Sequence, residues 1–369
     1  MQQQYLIGPK TDFLCLGGAA FFILPVFMVL SPYINEAAFL SATLWLTNLI
    51  NHPHFAHSYQ IFYAKFRDKT SDPQTSRELR LRYMFAGYIV PLLLVAYMLG
   101  CFWLGSLEMM GKTAFAMSFF VGWHYVKQGY GMLMLDAVLK KRFFNEHEKK
   151  ILLINAYIVW AASWIALNAS LAERSLWGIE YAFFDIPLYI RDFMYGLTAL
   201  STVAVLVIMS RRILIAGKPL PFNGTVAYAV SLYLWLLIIE INIIWAILVP
   251  ALHSLQYLIV VWRFQANRSS ALLESEPKGG LSGISKAANT TSAHVARFVG
   301  FGILLGAFGF WLLPAIFIQS TDLSGSAFEP AVFFFMFWIF FNVHHYFIDN
   351  VIWRKENTDT SRYLFAHTH

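Results

Sequence analysis

Two short stretches hold most of the side chains in this sequence that could do chemistry. "LINHPHFAHSYQIFY" carries His52, His54 and His57, and "FNVHHYFIDNVIWR" carries His344 and His345, with Asp349 one helical turn later. His124 in "VGWHYVKQGYGM" and His253 in "VPALHSLQYL" bring the histidines inside apolar runs to seven, out of 11 in the chain. His147, His294, His367 and His369 lie in charged or polar segments and read as solvated. Imidazole is the commonest biological metal ligand, and ionisable groups inside apolar spans mark function by default. The chemistry in view is therefore a histidine-ligated metal site, with Asp349, and after it Asp136, as carboxylate donors.

Each histidine cluster has a polar residue one turn onward: Gln60 after His57, Gln128 after His124, Gln256 after His253 and Asp349 after His345. Residues three or four apart share a helix face. A ligating imidazole needs a partner on its other nitrogen to fix its tautomer. The expected metal ligands are His54, His57, His124, His253, His344 and His345, with Asp349, Gln128 and Gln256 as candidate catalytic groups beside them. Within the adjacent pair, His345 shares its face with Asn342 and Asp349. His344 lies about 100° further round the helix, so it joins the same centre only at a crowded crossing or with a second metal. Pro53 lacks a backbone donor and kinks a helix; here it is expected to turn His52 aside and leave His54 and His57 on the working face.

The elements that carry these residues follow from composition. The chain of 369 residues is 58% hydrophobic and only 13% charged, about half the roughly 25% charge of a soluble domain. Several apolar runs reach the ~20 residues that cross a bilayer as a helix. The expected fold is all-α: one polytopic membrane helical bundle covering 1–369, with about ten transmembrane helices. The expected spans are 12–31, 37–62, 83–105, 113–136, 151–170, 188–210, 224–240, 243–263, 296–317 and 330–352, with a tight turn at Glu240 to Asn242. Residues 264–295 read as a flexible cytoplasmic loop, Gly/Ser/Thr-rich between 276 and 294.

Lys and Arg concentrate in alternate loops and in both tails, so both termini are expected in the cytoplasm. The net charge of +6 is used up in that topological pattern and does not point to nucleic acid. The first apolar run, Phe13 to Leu30, is too long for a cleavable signal and reads as a span. Two cysteines, Cys15 and Cys101, provide neither a disulfide framework nor an iron–sulfur site. Gly302 and Gly306 form a GxxxG pair suited to close helix contact. No Walker loop, Rossmann fingerprint or GxSxG elbow occurs.

On this topology the seven histidines sit on spans two, four, eight and ten, all running outward-to-cytoplasm. His57 precedes Lys65 by eight residues, His253 precedes Arg263 by ten and His345 precedes Arg354 by nine. At 1.5 Å per residue these lie roughly 12–15 Å inside the cytoplasmic helix ends, at one depth. His124, sixteen residues before Lys140, fits if its helix projects into the cytosol. A site in the cytoplasmic leaflet could take a membrane lipid or other hydrophobic small molecule laterally and electrons from a cytoplasmic donor. Histidines with a carboxylate suit one or two non-haem iron ions, with copper or zinc as other choices.

In these clusters the chain resembles the membrane-embedded, histidine-rich iron oxygenases: the fatty-acid hydroxylase and desaturase superfamily, and the bacterial membrane β-carotene dioxygenases. The resemblance rests on His54, His57, His124, His253, His344 and His345. It implies an all-helical bundle with histidine-ligated iron and a long apolar substrate; the expected location is a bacterial inner membrane. The hydroxylases' HxxxH and HxxHH boxes do not occur: "HPHFAH" has other spacings, and "HH" lacks its upstream partner. Three other readings stand beside it. A bis-histidine haem protein would pair His57 or His124 with His253 or His345. A proton-coupled transporter would use Asp136, Glu240, Asp349 and the histidines as a relay. A transferase acting on lipid carriers would use His345 as base.

Overall fold

A computed structural model describes residues 4–30, 33, 35–170, 175–180, 186–241, 248–275, 290–354 and 356–365. Asn242 of the expected turn, residues 276–289 of the expected loop, Lys355, His367 and His369 lie outside them. The described residues are nearly all helical; a two-stranded hairpin pairs Ser175–Leu176 with Ile179–Glu180. Its turn is closed by Trp177 and Gly178, both in the left-handed region (φ 51° and 76°).

Among the described residues five helices are long and apolar enough to cross a membrane: Arg77–Trp103, Glu146–Ala169, Leu188–Leu214, Thr291–Ser320 and Val332–Ile352. The pair Pro9–Gly18 and Ala20–Leu30, bent by 52°, makes a sixth if it is one span. On Leu188–Leu214 the apolar residues Leu200, Val203, Leu206 and Val207 are about half exposed or more, as on a face that meets lipid. The stretches bearing His54, His124 and His253 are not among the five. The polar residues that make them interesting also lower their mean hydropathy. Leu107–Leu139, with 33 residues, is about 50 Å long. That exceeds the ~30 Å hydrocarbon core.

The chain forms two compact units. The first comprises Met1–Trp45, Ser118–Arg174 and Ala182–Gln256. Its helix Glu146–Ser170 opens with a reciprocal cap: the Glu148 N–H donates to Asn145 Oδ1 (2.9 Å), and the Asn145 N–H to Glu148 Oε2 (2.8 Å). Further along this helix, buried Asn155 pins two neighbours. Its amide donates to the hydroxyls of Tyr228 (2.9 Å) and Tyr233 (3.1 Å), and its oxygen accepts from Ser201 (2.8 Å). One asparagine thus ties Glu146–Ser170 to Leu188–Leu214 and to Phe222–Ile241, around a core of Leu133, Leu152, Val159 and Leu232.

The second unit comprises Leu46–Met117, Ser175–Tyr181 and Tyr257–His369. Three of its helices share one device. A single wide, i→i+5 turn ends two residues before a proline: Thr47–Asn51 before Pro53, Phe85–Ile89 before Pro91 and Phe308–Leu312 before Pro314. Proline lacks the N–H and crowds the carbonyl a turn earlier, so the turn opens instead of breaking. At each of the three the residue before the proline closes the wide turn, His52 N–H on Thr47 O, Val90 on Phe85 and Leu313 on Phe308. The next carbonyl along is then left with a proline opposite.

Gly302 and Gly306 bring Thr291–Ala307 against His52–Ala64, as the GxxxG spacing predicts. A Cβ on Gly302 would fall 2.2 Å from the His57 ring, and one on Gly306 would fall 2.9 Å from the His52 main chain. Leu248–Ser275 stays helical past the expected boundary at 263. Two side chains at and beyond that boundary are tied to the C-terminal segment: Arg263 Nε donates to Leu364 O (2.9 Å) and Asn267 to Tyr363 O (2.7 Å). Asn357 and Thr360 both donate to the last carbonyl of Val332–Ile352, that of Ile352. Gly302→Ala is expected to lower Tm, since overpacking costs about 1–3 kcal/mol. Gly300→Ala, where nothing lies within 4 Å of the added methyl, should leave Tm unchanged or slightly higher.

Candidate metal centre

In the second unit, His52–Ala64 and Val332–Ile352 bring His54, His345 and Asp349 together. Each offers one ligand atom, and these atoms lie within 4.8 Å of one another, all buried. The rings of His54 and His345 meet edge to face, with centroids 4.4 Å apart. His345 Nε2 lies 3.3 Å from Asp349 Oδ2, a spacing set by their i,i+4 positions. The other carboxylate oxygen, Oδ1, accepts the Tyr257 hydroxyl (3.0 Å). Tyr257 in turn shares a hydrogen bond with Ser58 Oγ (2.5 Å). The Tyr257 hydroxyl therefore orients the carboxylate and leaves Oδ2 on the histidine side. Phe55 packs against the His345 ring and against Phe310, which keeps the surroundings apolar.

Two imidazoles and a carboxylate form the donor set of mononuclear non-haem iron(II) sites that keep positions open for oxygen and substrate. The residues present fit that group: one carboxylate oxygen is held by a neutral hydroxyl, and the other faces the imidazoles. Among the described residues neither Cys15 nor Cys101 belongs to the group.

The remaining histidines of this unit do other work. His344 is fully committed: Nε2 lies 2.9 Å from Ala86 O and Nδ1 2.7 Å from the Tyr59 hydroxyl. A carbonyl only accepts, so the Nε2 proton is donated there and Nδ1 accepts from Tyr59. Ala86 O needs that donor because its i+5 partner in the wide turn is Pro91, while Val90 N–H already serves Phe85 O. The Tyr63 hydroxyl likewise serves Gly87 O, which faces the same proline four residues on (3.3 Å). His57 lies beside Gln60, with Nδ1 3.2 Å from the amide, as the spacing predicts; its ring stacks on Phe298. It lines the contact with Thr291–Ala307 and is separate from the group around His54. His52 is turned aside as expected, stacked on Phe310 and accepting at Nδ1 from the Trp311 indole (3.3 Å).

In the first unit, His124 and His253 lie with ring centroids 5.0 Å apart, and Tyr125 stacks on His253 at 3.8 Å. Gln128 and Gln256 do not serve the rings of their own helices. Gln128 donates to His253 O (2.9 Å) and to Gln256 Oε1 (3.3 Å). Gln256 donates to Leu16 O (2.9 Å) and accepts from Ser231 (3.0 Å). Leu16 O is free to accept because Gly17, at φ 138°, breaks the helix there, a conformation that glycine tolerates. Asp136 is engaged by Lys140 (2.7 Å) and by the Gly224 N–H (2.9 Å), and Glu240 by the Tyr195 hydroxyl (2.6 Å). His147 is exposed.

Ser58, Tyr59 and Tyr257 did not stand out in the sequence, although each lies within five residues of a clustered histidine. Their signal is hydroxyl placement one turn from an imidazole, and tyrosine is too common here for that to be noticed. No family model, curated protein or solved structure matches the chain.

His344→Ala leaves the Ala86 carbonyl and the Tyr59 hydroxyl without that partner, and so is expected to cost about 1–3 kcal/mol and lower Tm. Tyr59→Phe should cost less, and the double variant less than the sum of the two, because they share one hydrogen bond. Additive Tm losses would show that His344 does not hold Tyr59.

Proposed function

We propose that this protein is an integral-membrane, metal-dependent oxidoreductase of the oxygenase, hydroxylase or desaturase kind. It acts on a lipid-like or isoprenoid substrate at a non-haem iron site in the cytoplasmic leaflet of a bacterial inner membrane. The observation that carries this reading is the buried group His54, His345 and Asp349, two imidazoles and a carboxylate with ligand atoms within 4.8 Å. The ten spans and cytoplasmic termini enter from the charge pattern of the sequence. His124 and His253 also enter from the sequence, as further ligands; His57 and His344, which the sequence offers as ligands too, engage Gln60 and Phe298 and Ala86 O and Tyr59 instead.

Iron held in this way supplies the one-electron and dioxygen chemistry that an unactivated C–H or C=C bond requires. Dioxygen would be the oxidant, and a cytoplasmic donor would supply the electrons. The protein's own part is to hold His345 against Asp349, to fix the carboxylate through Tyr257 and Ser58, and to exclude water with Phe55 and Phe310. A second reading is favoured by one feature: Ser58, Tyr257, Asp349 and His345 form a continuous chain of polar contacts, as a proton path in a transporter would. That reading needs no metal.

Purified protein is expected to contain near-stoichiometric iron by elemental analysis. His54→Ala, His345→Ala and Asp349→Ala should each remove it, whereas His147→Ala should not. Tyr257→Phe should weaken metal binding about 10–100-fold, since it releases the carboxylate. His124→Ala and His253→Ala should each abolish metal binding or activity as well. Protein without Fe, Mn, Cu or Zn above background would overturn the proposal and leave the proton path.

A further inference from the structure

A separate site lies wholly in the first unit, where Pro9–Phe13 starts, Leu107–Leu139 ends and Phe222–Ile241 starts. Here a cavity of about 510 Å³ is lined both by the polar residues Lys10, Lys140, Arg142 and Asn223 and by Phe13, Phe22 and Phe222. We propose that this cavity binds an anionic phospholipid, with the phosphate against Lys10, Arg142 and Asn223 and an acyl chain along the phenylalanines.

Three independent features support the assignment. The first is charge. Carboxylates nearby are already used: Asp136 by Lys140 (2.7 Å), Asp12 by the N–H groups of Leu6, Ile7 and Gly8, and Glu148 by Arg212 (3.1 Å). Among the described residues neither Lys10 nor Arg142 has a carboxylate partner, so the cavity keeps two cations. The second is an unused donor. Asn223 is 5% exposed, and its side-chain Nδ2 has no hydrogen-bond partner among the described residues. A buried amide donor without an acceptor is costly, and a phosphate oxygen would satisfy it.

The third feature is shape. Phe222 and Phe22 are about 60% exposed, and Phe13 and Phe222 stack at 5.9 Å, so the cavity has an apolar wall beside its cations. Basic pockets between membrane helices on the cytoplasmic side are where anionic headgroups bind. Free phosphate would use the cations and the amide but would leave this wall uncovered. The proposal is independent of the metal site, since it shares no residue with it.

The test uses the full chain, purified and delipidated in neutral detergent at physiological salt. It is titrated with dioleoyl phosphatidylglycerol or dioleoyl phosphatidylcholine and followed by native mass spectrometry and Tm. Phosphatidylglycerol should bind and raise Tm, and phosphatidylcholine should not. Lys10→Gln should weaken phosphatidylglycerol binding about fivefold, from roughly 1 kcal/mol per cation, and Lys10→Glu further. Asn223→Ala should also weaken it, while Lys218→Gln, a cation outside the cavity, and iron content should be unaffected. Lys10 is exposed, so its variants should fold even if Asn223→Ala does not. Equal binding of both lipids, or unchanged affinity in the Lys10 variants, would overturn the proposal. Displacement of the lipid by glycerol phosphate at equal concentration would overturn it in favour of a free phosphate site.

Discussion

A polar side chain buried among apolar helices must find a partner or cost free energy, and much of this structure follows from that requirement. An unpaired buried polar group costs about 2–7 kcal/mol. Prolines on three helices of the second unit make the demand sharper, because each leaves a carbonyl without its usual main-chain donor. His344 and Tyr63 answer it at Pro91, and Gln256 answers the similar gap at Gly17 in the first unit. Part of the histidine and glutamine content is thus the counterpart of the proline and glycine content.

That balance separates two kinds of histidine. His344 and His52 engage protein partners, Ala86 O and Tyr59 for the first and Trp311 for the second. Their tautomers follow from those partners. His54 and His345 instead face each other and a carboxylate. Two imidazoles and an oriented carboxylate converge on one small volume, a donor set that could hold a metal ion.

Much of this was legible in the sequence. Composition showed a helical membrane protein, and the GxxxG spacing showed where Thr291–Ala307 would approach closely. Pro53 foretold the turning aside of His52, and the i,i+4 spacing foretold the His345–Asp349 pair. The division between His344 and His345 followed from the 100° step between adjacent residues. The destinations of Gln128 and Gln256 were not legible. They depend on a helix break at Gly17 and on contacts between helices distant in sequence, which spacing along one helix does not reveal. The roles of Tyr257 and Ser58 were hidden for the same reason: the hydrogen bond from Tyr257 to Asp349 joins residues 92 apart in the chain.

The claim on which the account turns is that His54, His345 and Asp349 ligate iron. X-ray absorption at the iron edge of the purified protein measures this most directly. The account requires a first shell of nitrogen and oxygen near 2.0–2.2 Å, about the distances of imidazole and carboxylate ligands, with imidazole outer-shell scattering that is lost in His345→Ala. A tetrapyrrole or sulfur-rich shell, or no iron signal at all, would contradict it.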